Sequence, residues 1–307
     1  MKKKYLITGG AGFIGSHIAE ELLINNHEVI VYDNFSTGKR ENLEFEDVSN
    51  LKIIEADIRD YEKIEKACDS VDGIFHQAAL VSVPLSFEKP AESFQINAAG
   101  TLNVLEAARK KKVKRILMAS SAAVYGNNQN LPIKETEPII PLSPYGLEKS
   151  IDESLCKFYH EVYGLEAIVL RYFNVFGCKQ NPFSSYSGVI SIFLNNLKNN
   201  KECVIFGDGA QSRDFIYVKD VAKANILAMN EKKINYGTYN VGTGIAVSIN
   251  ELFNTIKSIF KNEIHPRFEE PMFGDVKHSL ADVTKIKNDL RFAFDYSLLE
   301  GLKKILS

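Results

Sequence analysis

Only four cysteines occur in 307 residues, Cys68, Cys156, Cys178 and Cys203, and they lie far apart with no C-x-x-C pair. That scarcity excludes a disulfide scaffold and a cysteine-rich metal centre, and reduced structural thiols are expected. The six histidines are scattered without ligand spacing, so no metal is expected either. Charge of one sign is also short: 37 Lys and Arg against 39 Asp and Glu leave a formal net charge of -2. A general attraction to nucleic acid or to anionic lipid is thereby excluded, and any anionic ligand must be held by local positive groups. No window approaches the roughly 18 consecutive apolar residues of a membrane span. The basic start Met1-Lys2-Lys3-Lys4 is followed by only Tyr5-Leu6-Ile7 before glycines begin, which reads as a buried strand instead of a signal segment. A soluble cytoplasmic protein is the expectation. Internal repeats and low-complexity tracts are absent too, which excludes solenoid and array architectures.

What is present is ordinary globular usage, with 45% hydrophobic and 25% charged residues. The length suits one large domain with a smaller appendage. Through the first half, short β-rich runs alternate with helical stretches, the pattern of a Rossmann-type, doubly wound parallel sheet. KYLIT, EVIVYD, LKIIEAD, GIFHQAA, KRILMASS and EAIVLR read as six strands beginning near Lys4, Glu28, Leu51, Gly73, Lys114 and Glu166. Helices are expected at about 13–25, 61–70, 91–111 and 145–163. The run Arg109-Lys110-Lys111-Lys112 reads as a solvated helix end, where cations suit the helix dipole. Beyond about residue 175 the rhythm loosens into a Gly/Ser-rich loop at 177–188, short strands, and helices near 189–199, 218–231, 248–260 and 297–306. The expected division is a dinucleotide-binding domain over 1–175, with 215–245 returning to it, and a smaller α/β substrate-binding domain over 176–307.

The first strand runs into Thr8-Gly9-Gly10-Ala11-Gly12-Phe13-Ile14-Gly15, a G-x-x-G-x-x-G loop that opens a helix. Glycines without side chains and outward helix-start N–H groups let a pyrophosphate approach. Such a loop alone can be a plain tight turn. Here it follows the first strand, and Asp33 ends the second strand 18 residues after Gly15, which points to a dinucleotide. The Asp33 carboxylate can accept hydrogen bonds from a ribose 2′-hydroxyl and would repel a 2′-phosphate, so NAD is expected. Lys39 and Arg40, a basic pair in the next loop, argue the other way.

Tyr145-Gly146-Leu147-Glu148-Lys149 places a phenol and an ammonium on one helix face, four residues apart. An ammonium beside a phenolate stabilises it. Ordinary tyrosine titrates near pH 10, so action as a base near neutrality asks for roughly 4 kcal/mol of phenolate stabilisation, which a lysine and a cationic nicotinamide supply together. The alternative is a mere amphipathic face. Position separates the two, because Ser120-Ser121-Ala122-Ala123-Val124-Tyr125-Gly126 follows the strand KRILMA, at the carboxyl edge where sheet ligands bind. Ser121 can bond a substrate hydroxyl, with a local turn as its alternative, while Tyr125 reads as structural.

Taken in order, TGGAGFIG, Asp33-Asn34, SSAAVYG, SPYGLEK, RYFNVFG, SRDFIYV and GDVKHSLAD resemble the extended short-chain dehydrogenase/reductase family, and within it the UDP-galactose and UDP-N-acetylglucosamine 4-epimerase type. The resemblance runs from residue 4 to about residue 290. It implies that Tyr145 is the base on the sugar 4-hydroxyl, that Lys149 holds the nicotinamide ribose, and that Ser121 bonds the same hydroxyl. Hydride would leave C4 for NAD and return to the other face of a 4-keto sugar. Around the cofactor it implies Gly9, Gly12, Phe13, Ile14 and Gly15 at the pyrophosphate, Asp33, Asn34, Ser36, Thr37 and Gly38 beyond the second strand, and Asp57 and Ile58 at the adenine. Ala78, Ala79, Leu80, Asn97 and Phe173 complete that set.

On the substrate side the resemblance implies Asn174 and Arg213 at the diphosphate, Asp275 at the uridine ribose, Phe206 at the uracil, and Val189 and Ser279 in the pocket. Guanidinium suits phosphate in bidentate fashion, although Arg213 could instead bridge Asp214 or Asp220. Two departures stand out. Met272-Phe273 occupies the place of a second phosphate-binding arginine, for which Lys277 or Lys179 could compensate, and Cys178-Lys179 replaces Pro-Arg. Ser279 leaves room beside the sugar 2-substituent, so N-acetylhexosamines are expected alongside plain hexoses.

Dehydratases of this scaffold need an acid and base beside the serine, and Ala122-Ala123 cannot transfer protons, which disfavours elimination. A UDP-glucuronate 4-epimerase is the nearest alternative. A non-catalytic NAD-binding sensor or scaffold is the alternative of another class, opposed by the intact Ser121, Tyr145 and Lys149. The family resemblance also implies a homodimer through the 91–111 and 145–163 helices.

Overall fold

Runs that are apolar on both faces suit strands covered by helices on each side. Five of them, with the more exposed edge run Leu51–Glu55, form β1 (Lys4–Thr8), β2 (Glu28–Asp33), β3 (Leu51–Glu55), β4 (Gly73–His76), β5 (Arg115–Ser121) and β6 (Glu166–Tyr172) in the computed structural model, which describes residues 1–180, 188–261, 263–271 and 276–306. Three short strands follow, β7 (Asn174–Phe176), β8 (Val204–Phe206) and β9 (Ser212–Tyr217), before β10 (Tyr236–Val241) returns to the large sheet. The last three are β11 (Ala246–Ser248), β12 (Arg267–Glu269) and β13 (His278–Ser279). The large sheet is parallel in the order β10-β6-β5-β4-β1-β2-β3, so the sense in which strands are added reverses between β1 and β4. Loops leaving those two strands diverge, which opens a crevice at their carboxyl ends. The doubly wound Rossmann-type sheet is thus the observed fold.

Eleven α-helices are seen among the described residues: α1 (Phe13–Ile24), α2 (Tyr61–Ala67), α3 (Val83–Glu88), α4 (Pro90–Phe94), α5 (Gly100–Lys110), α6 (Pro144–Tyr163), α7 (Val189–Lys198), α8 (Val218–Asn230), α9 (Ile249–Phe260), α10 (Thr284–Leu290) and α11 (Leu298–Leu306). None is long and apolar enough to cross a membrane. On one face of the sheet Ile18 and Leu22 of α1 and Val221, Ala224 and Ala228 of α8 close a core with Tyr5, Ile7 and Phe75. On the other, Ile64, Val104, Leu105, Cys156 and Tyr159 cover Leu6, Ile30 and Ile116. A third core, around Phe193, Leu252, Phe253 and Ile256, lies under the small sheet β11-β9-β13, which β7 joins through β9.

Two boundaries differ from expectation. Residues 215–217 complete β9 of the small sheet, where they pair with Asn174–Phe176 of β7, and α8 begins at Val218. The single helix expected over 91–111 is three pieces, α4, a π-helical turn at Gln95–Ala99, and α5. The π turn places Asn97, fully buried, against Leu80 and Glu148, a polar demand that a hydrophobic period does not register.

Candidate active site

At the crevice, Gly9 has φ +67, and a Cβ there would sit 2.6 Å from the Ala78 amide nitrogen. A Cβ on Gly15 would lie 2.2 Å from the Gly9 carbonyl oxygen. Glycine is therefore required at both, and the loop is drawn tightly under the start of α1. Gly12 caps that helix without a side-chain bond, so the first-turn amides of Phe13, Ile14 and Gly15 lack an intrahelical partner. Such a cradle fits a pyrophosphate.

Asp33 closes the other side of the cradle. Its Oδ2 accepts from the Ala11 amide at 2.9 Å and its Oδ1 from Phe35 at 2.8 Å. Burial pushes its carboxyl above the usual range, and those two amides oppose the rise. Gly38 packs here too, where a Cβ would meet Ala11 and the Asp33 Oδ1 at 2.9–3.0 Å. Arg40, which argued for a 2′-phosphate, pairs with Glu55 and lies 4.5 Å from the Phe35 ring. Ser36 donates its amide to Asn34 Oδ1 at 3.0 Å, and Asn34 donates to Asp57 Oδ2 at 2.8 Å, so 34, 36 and 57 form one rim, with Thr37 between Ser36 and Gly38. Arg59, bonded to both Asp57 oxygens at 2.9 and 2.7 Å, holds that carboxyl at about 2. Ile58 is buried below the rim. The residues present fit NAD.

Past β4, Ala78 donates to Thr8 Oγ1 at 3.4 Å, and Leu80 donates to Asn97 Oδ1 at 2.7 Å, with Ala79 between. Asn97 Nδ2 gives its bonds to Leu80 O at 3.1 Å and Glu148 Oε2 at 2.6 Å. The Asn97 amide thus shapes the 78–80 loop and ties it to α6. Phe173 is buried in the core, 6.5 Å from Tyr125.

Ser121, Tyr145 and Lys149 lie at the end of β5 and in the first turns of α6. Ser121 ends β5 and accepts from the Ala123 amide at 3.1 Å, which leaves its own hydroxyl proton and a second lone pair. Ser143 caps α6 by accepting from Gly146 at 3.0 Å, and Pro144 suits the first turn. Tyr145 follows, nearly buried, its amide donating to Ser86 Oγ at 3.2 Å. A Cβ on Gly146 would stand 2.8 Å from the Ala123 oxygen, so the missing side chain lets the Tyr145 turn pack against the loop that carries Ser121. One turn on, Lys149 is buried with its Nζ 3.3 Å from Asp152 Oδ2.

A second buried network braces this group. Glu153 accepts from Arg171 at 2.9 and 2.6 Å and from Ser120 Oγ at 2.5 Å, and Arg171 also donates to Tyr125 Oη at 2.7 Å. Tyr125 donates to Asn240 at 2.6 Å, which makes it a strut between β10 and β6.

On the substrate side, Ser279 of β13 lies in register with Arg213 of β9, and Asn174 of β7 with Phe215 two residues further along the same strand. Asn174 Nδ2 donates to Asp214 O at 3.3 Å. The two carboxylates that could have held Arg213 are served by others: Asp214 by Thr243, Gly244 and Ala281, and Asp220 by the amides of Asp295 and Tyr296. Arg213 Nη1 donates to the carbonyls of Ser212 at 2.9 Å and Lys277 at 3.4 Å. Val189 opens α7, and Phe206 ends β8, partly exposed. Asp275, Met272 and Phe273 lie outside the described residues. Of the two compensating cations, Lys277 is beside Arg213, whereas Lys179 donates to Asn42 O at 2.9 Å and covers the Phe45 ring, on the dinucleotide side.

Asp152, Glu153 and Glu148 were not singled out in the sequence. Their signal was spacing: Glu148 falls one residue before Lys149, and Asp152 and Glu153 fall three and four after it, which on a helix puts those two beside it.

The family model described as "NAD dependent epimerase/dehydratase family" matches residues 5–242. A Methanocaldococcus jannaschii protein provisionally named a UDP-glucose 4-epimerase is 43% identical over 304 residues, 98% of this chain and 97% of that protein. The UDP-N-acetylglucosamine 4-epimerase of Methanobrevibacter ruminantium M1, solved with UDP-N-acetylmuramic acid, is 42% identical with a TM-score of 0.94, covering 100% of this chain and 99% of that one. The UDP-glucose 4-epimerase of Thermotoga maritima, solved with UDP-glucose, is 40% identical with a TM-score of 0.94 over 99% and 97% of the two chains. With its sheet, its glycine cradle and its Ser-Tyr-Lys group, the chain belongs to the NAD-dependent epimerase/dehydratase family.

Proposed function

We propose that this protein is an NAD-dependent 4-epimerase of UDP-hexoses, interconverting UDP-glucose with UDP-galactose and also UDP-N-acetylglucosamine with UDP-N-acetylgalactosamine. The observation that supports the reading is the packing of the first turns of α6, which carry Tyr145 and Lys149, against the turn that follows Ser121 at the end of β5, in the same sheet that carries the glycine cradle. Bound NAD supplies a hydride acceptor and donor for the sugar C4. Tyr145 takes the proton of the 4-hydroxyl, Ser121 steadies the same oxygen, and Lys149 supplies the positive charge that makes a phenolate accessible. With the 4-keto sugar formed, the phenol returns its proton once hydride is delivered to the opposite face. No net oxidation results.

Arg213 and Asn174 hold the diphosphate, with Val189, Phe206 and Asp275 around the rest of the nucleotide. The register of Ser279 with Arg213 puts a small hydroxyl beside that anchor, which supports acceptance of an acetamido group. A UDP-sugar pocket also fits the proposed division into a dinucleotide domain of about 1–175, rejoined by α8 and β10, and a smaller substrate domain. Exposed apolar side chains on α4 to α6, among them Phe94, Leu102, Leu147, Phe158 and Val162, support a homodimer through these helices. The cytoplasm, where NAD and nucleotide sugars are at hand, is the proposed location.

NMR of the products from UDP-glucose, UDP-N-acetylglucosamine and UDP-glucuronate tests the reading. The first two are expected to reach mixtures of 4-epimers. Turnover of UDP-glucuronate alone would replace the substrate assignment, and turnover of UDP-glucose with the N-acetyl pair untouched would remove the role given to Ser279.

A further inference from the structure

Lys149 and Asp152 form an ion pair sealed inside the protein. The lysine side chain is 3% exposed and the aspartate side chain 0%, their charged atoms 3.3 Å apart, three residues along α6. The reaction as described needs only the ammonium. A second charge three residues away, taken wholly out of water, is costly unless it does something for its partner.

Its surroundings supply little other reason for it to be ionised. Asp152 Oδ1 has no hydrogen-bond partner among the described residues, and apart from Lys149 only the Thr101 side chain on α5 favours the ionised carboxylate. Beyond Thr101 the polar contacts continue away from solvent, through His76 Nε2 at 3.0 Å and from His76 Nδ1 to Thr8 Oγ1 at 2.6 Å. Thr8 directly precedes Gly9 of the dinucleotide cradle. The charged and titratable groups facing Asp152 are Lys149, Glu148 and Cys156 on α6, with His76 on β4 beyond Thr101. Glu148 is occupied by Ser93 and Asn97. Burial keeps Cys156 a thiol and His76 neutral, so Lys149 is the cation that answers Asp152. Burial also pushes the Asp152 carboxyl up to about 6, with Lys149 opposing the rise.

We propose that Asp152 is a positioning residue: its carboxylate holds the Lys149 ammonium in the dry base of the site and is the counterion that limits how strongly that ammonium stabilises the Tyr145 phenolate. Tyr145, Lys149 and Asp152 rise along one helix at intervals of four and three residues, so phenol, cation and anion are stacked on one face. A neutral amide at 152 leaves the ammonium uncompensated, and the phenolate becomes easier to form. The inference deepens the epimerase reading and rests on it for its catalytic meaning, but the charge arrangement itself is readable without substrate.

The test is the phenolate absorbance of Tyr145, taken as wild type minus Tyr145→Phe, titrated with pH in the full-length protein with and without NAD. In Asp152→Asn the midpoint is expected to move down, by about half a unit or more, and the acid limb of kcat/KM to move the same way. Asp152→Glu, which keeps the charge, should stay near the wild-type midpoint. Should Asp152→Asn not fold, Asp152→Ser serves as the neutral variant. An unchanged or raised midpoint in the neutral variant overturns the proposal. Because absorbance needs no turnover, a protein that fails to epimerise can still give the expected titration, which separates failure of this inference from failure of the functional reading.

Discussion

Arg171 on β6 and Glu153 on α6 meet through two parallel bonds of 2.9 and 2.6 Å, both side chains being buried. Glu153 also accepts from Ser120, the neighbour of Ser121, so the pair locks α6 to the strand that carries the serine. Breaking one half of a buried pair leaves an uncompensated charge, which costs roughly 3–5 kcal/mol. Glu153→Ala is expected to lose about that much in urea unfolding, while the double change Arg171→Met with Glu153→Leu recovers part of it. A loss under about 1 kcal/mol for the single change would show that the pair is not a brace.

The glycine cradle gives a contrast between two substitutions of the same kind. Gly15→Ala places a Cβ 2.2 Å from the Gly9 oxygen, so the loop must shift, and NAD affinity in a fluorescence titration is expected to fall at least about tenfold, or ~1.4 kcal/mol. Gly164, the C-cap of α6, also has a positive φ, +72, but open space around it. Gly164→Ala should cost about 1 kcal/mol of stability and leave NAD affinity unchanged. Equal NAD binding in both variants would contradict the cradle.

Much of this was legible beforehand because it rests on local rules. The strands beginning at Lys4, Glu28, Leu51, Gly73 and Glu166 start where the apolar runs start, and the α6 entry is written in Ser143-Pro144. What was not legible depends on partners distant in sequence. The π turn at Gln95–Ala99 answers to Leu80 and Glu148, 17 and 51 residues from Asn97. Likewise the neighbours of His76 are Thr8 and Thr101, and no short-range period predicts them.

His76 makes stability depend on pH. Burial lowers its pKa from 6.5 to about 3, so below pH 6.5 the unfolded chain takes up a proton that the folded imidazole refuses. Stability contributed by the neutral ring is therefore whole above 6.5 and is lost progressively as pH falls toward 3, by about 1.4 kcal/mol per unit. Asp152, raised from 3.8 to about 6, acts in the opposite sense, since its folded form binds a proton first as pH falls. The comparison that isolates His76 is the wild type against His76→Asn. Between pH 6 and 4.5 the variant should lose about 1.4 kcal/mol less per unit in urea unfolding, and parallel curves would contradict a neutral buried ring.

The role proposed for Arg213 is in binding, not in proton transfer. Arg213→Ala is expected to raise KM for a UDP-sugar about tenfold or more, consistent with loss of a charge-assisted contact of roughly 1.5–3 kcal/mol, with kcat changed far less. Unchanged substrate affinity on titration would refute the assignment.

The most direct measurement follows the hydrogen on C4. UDP-glucose carrying deuterium at C4 is turned over in ordinary water by the wild type and by Tyr145→Phe, with the products read by NMR. The account predicts UDP-galactose that keeps its deuterium at C4, formed at least about a hundredfold more slowly by the variant. Loss of the label to solvent, or wild-type turnover without the phenol, would contradict it.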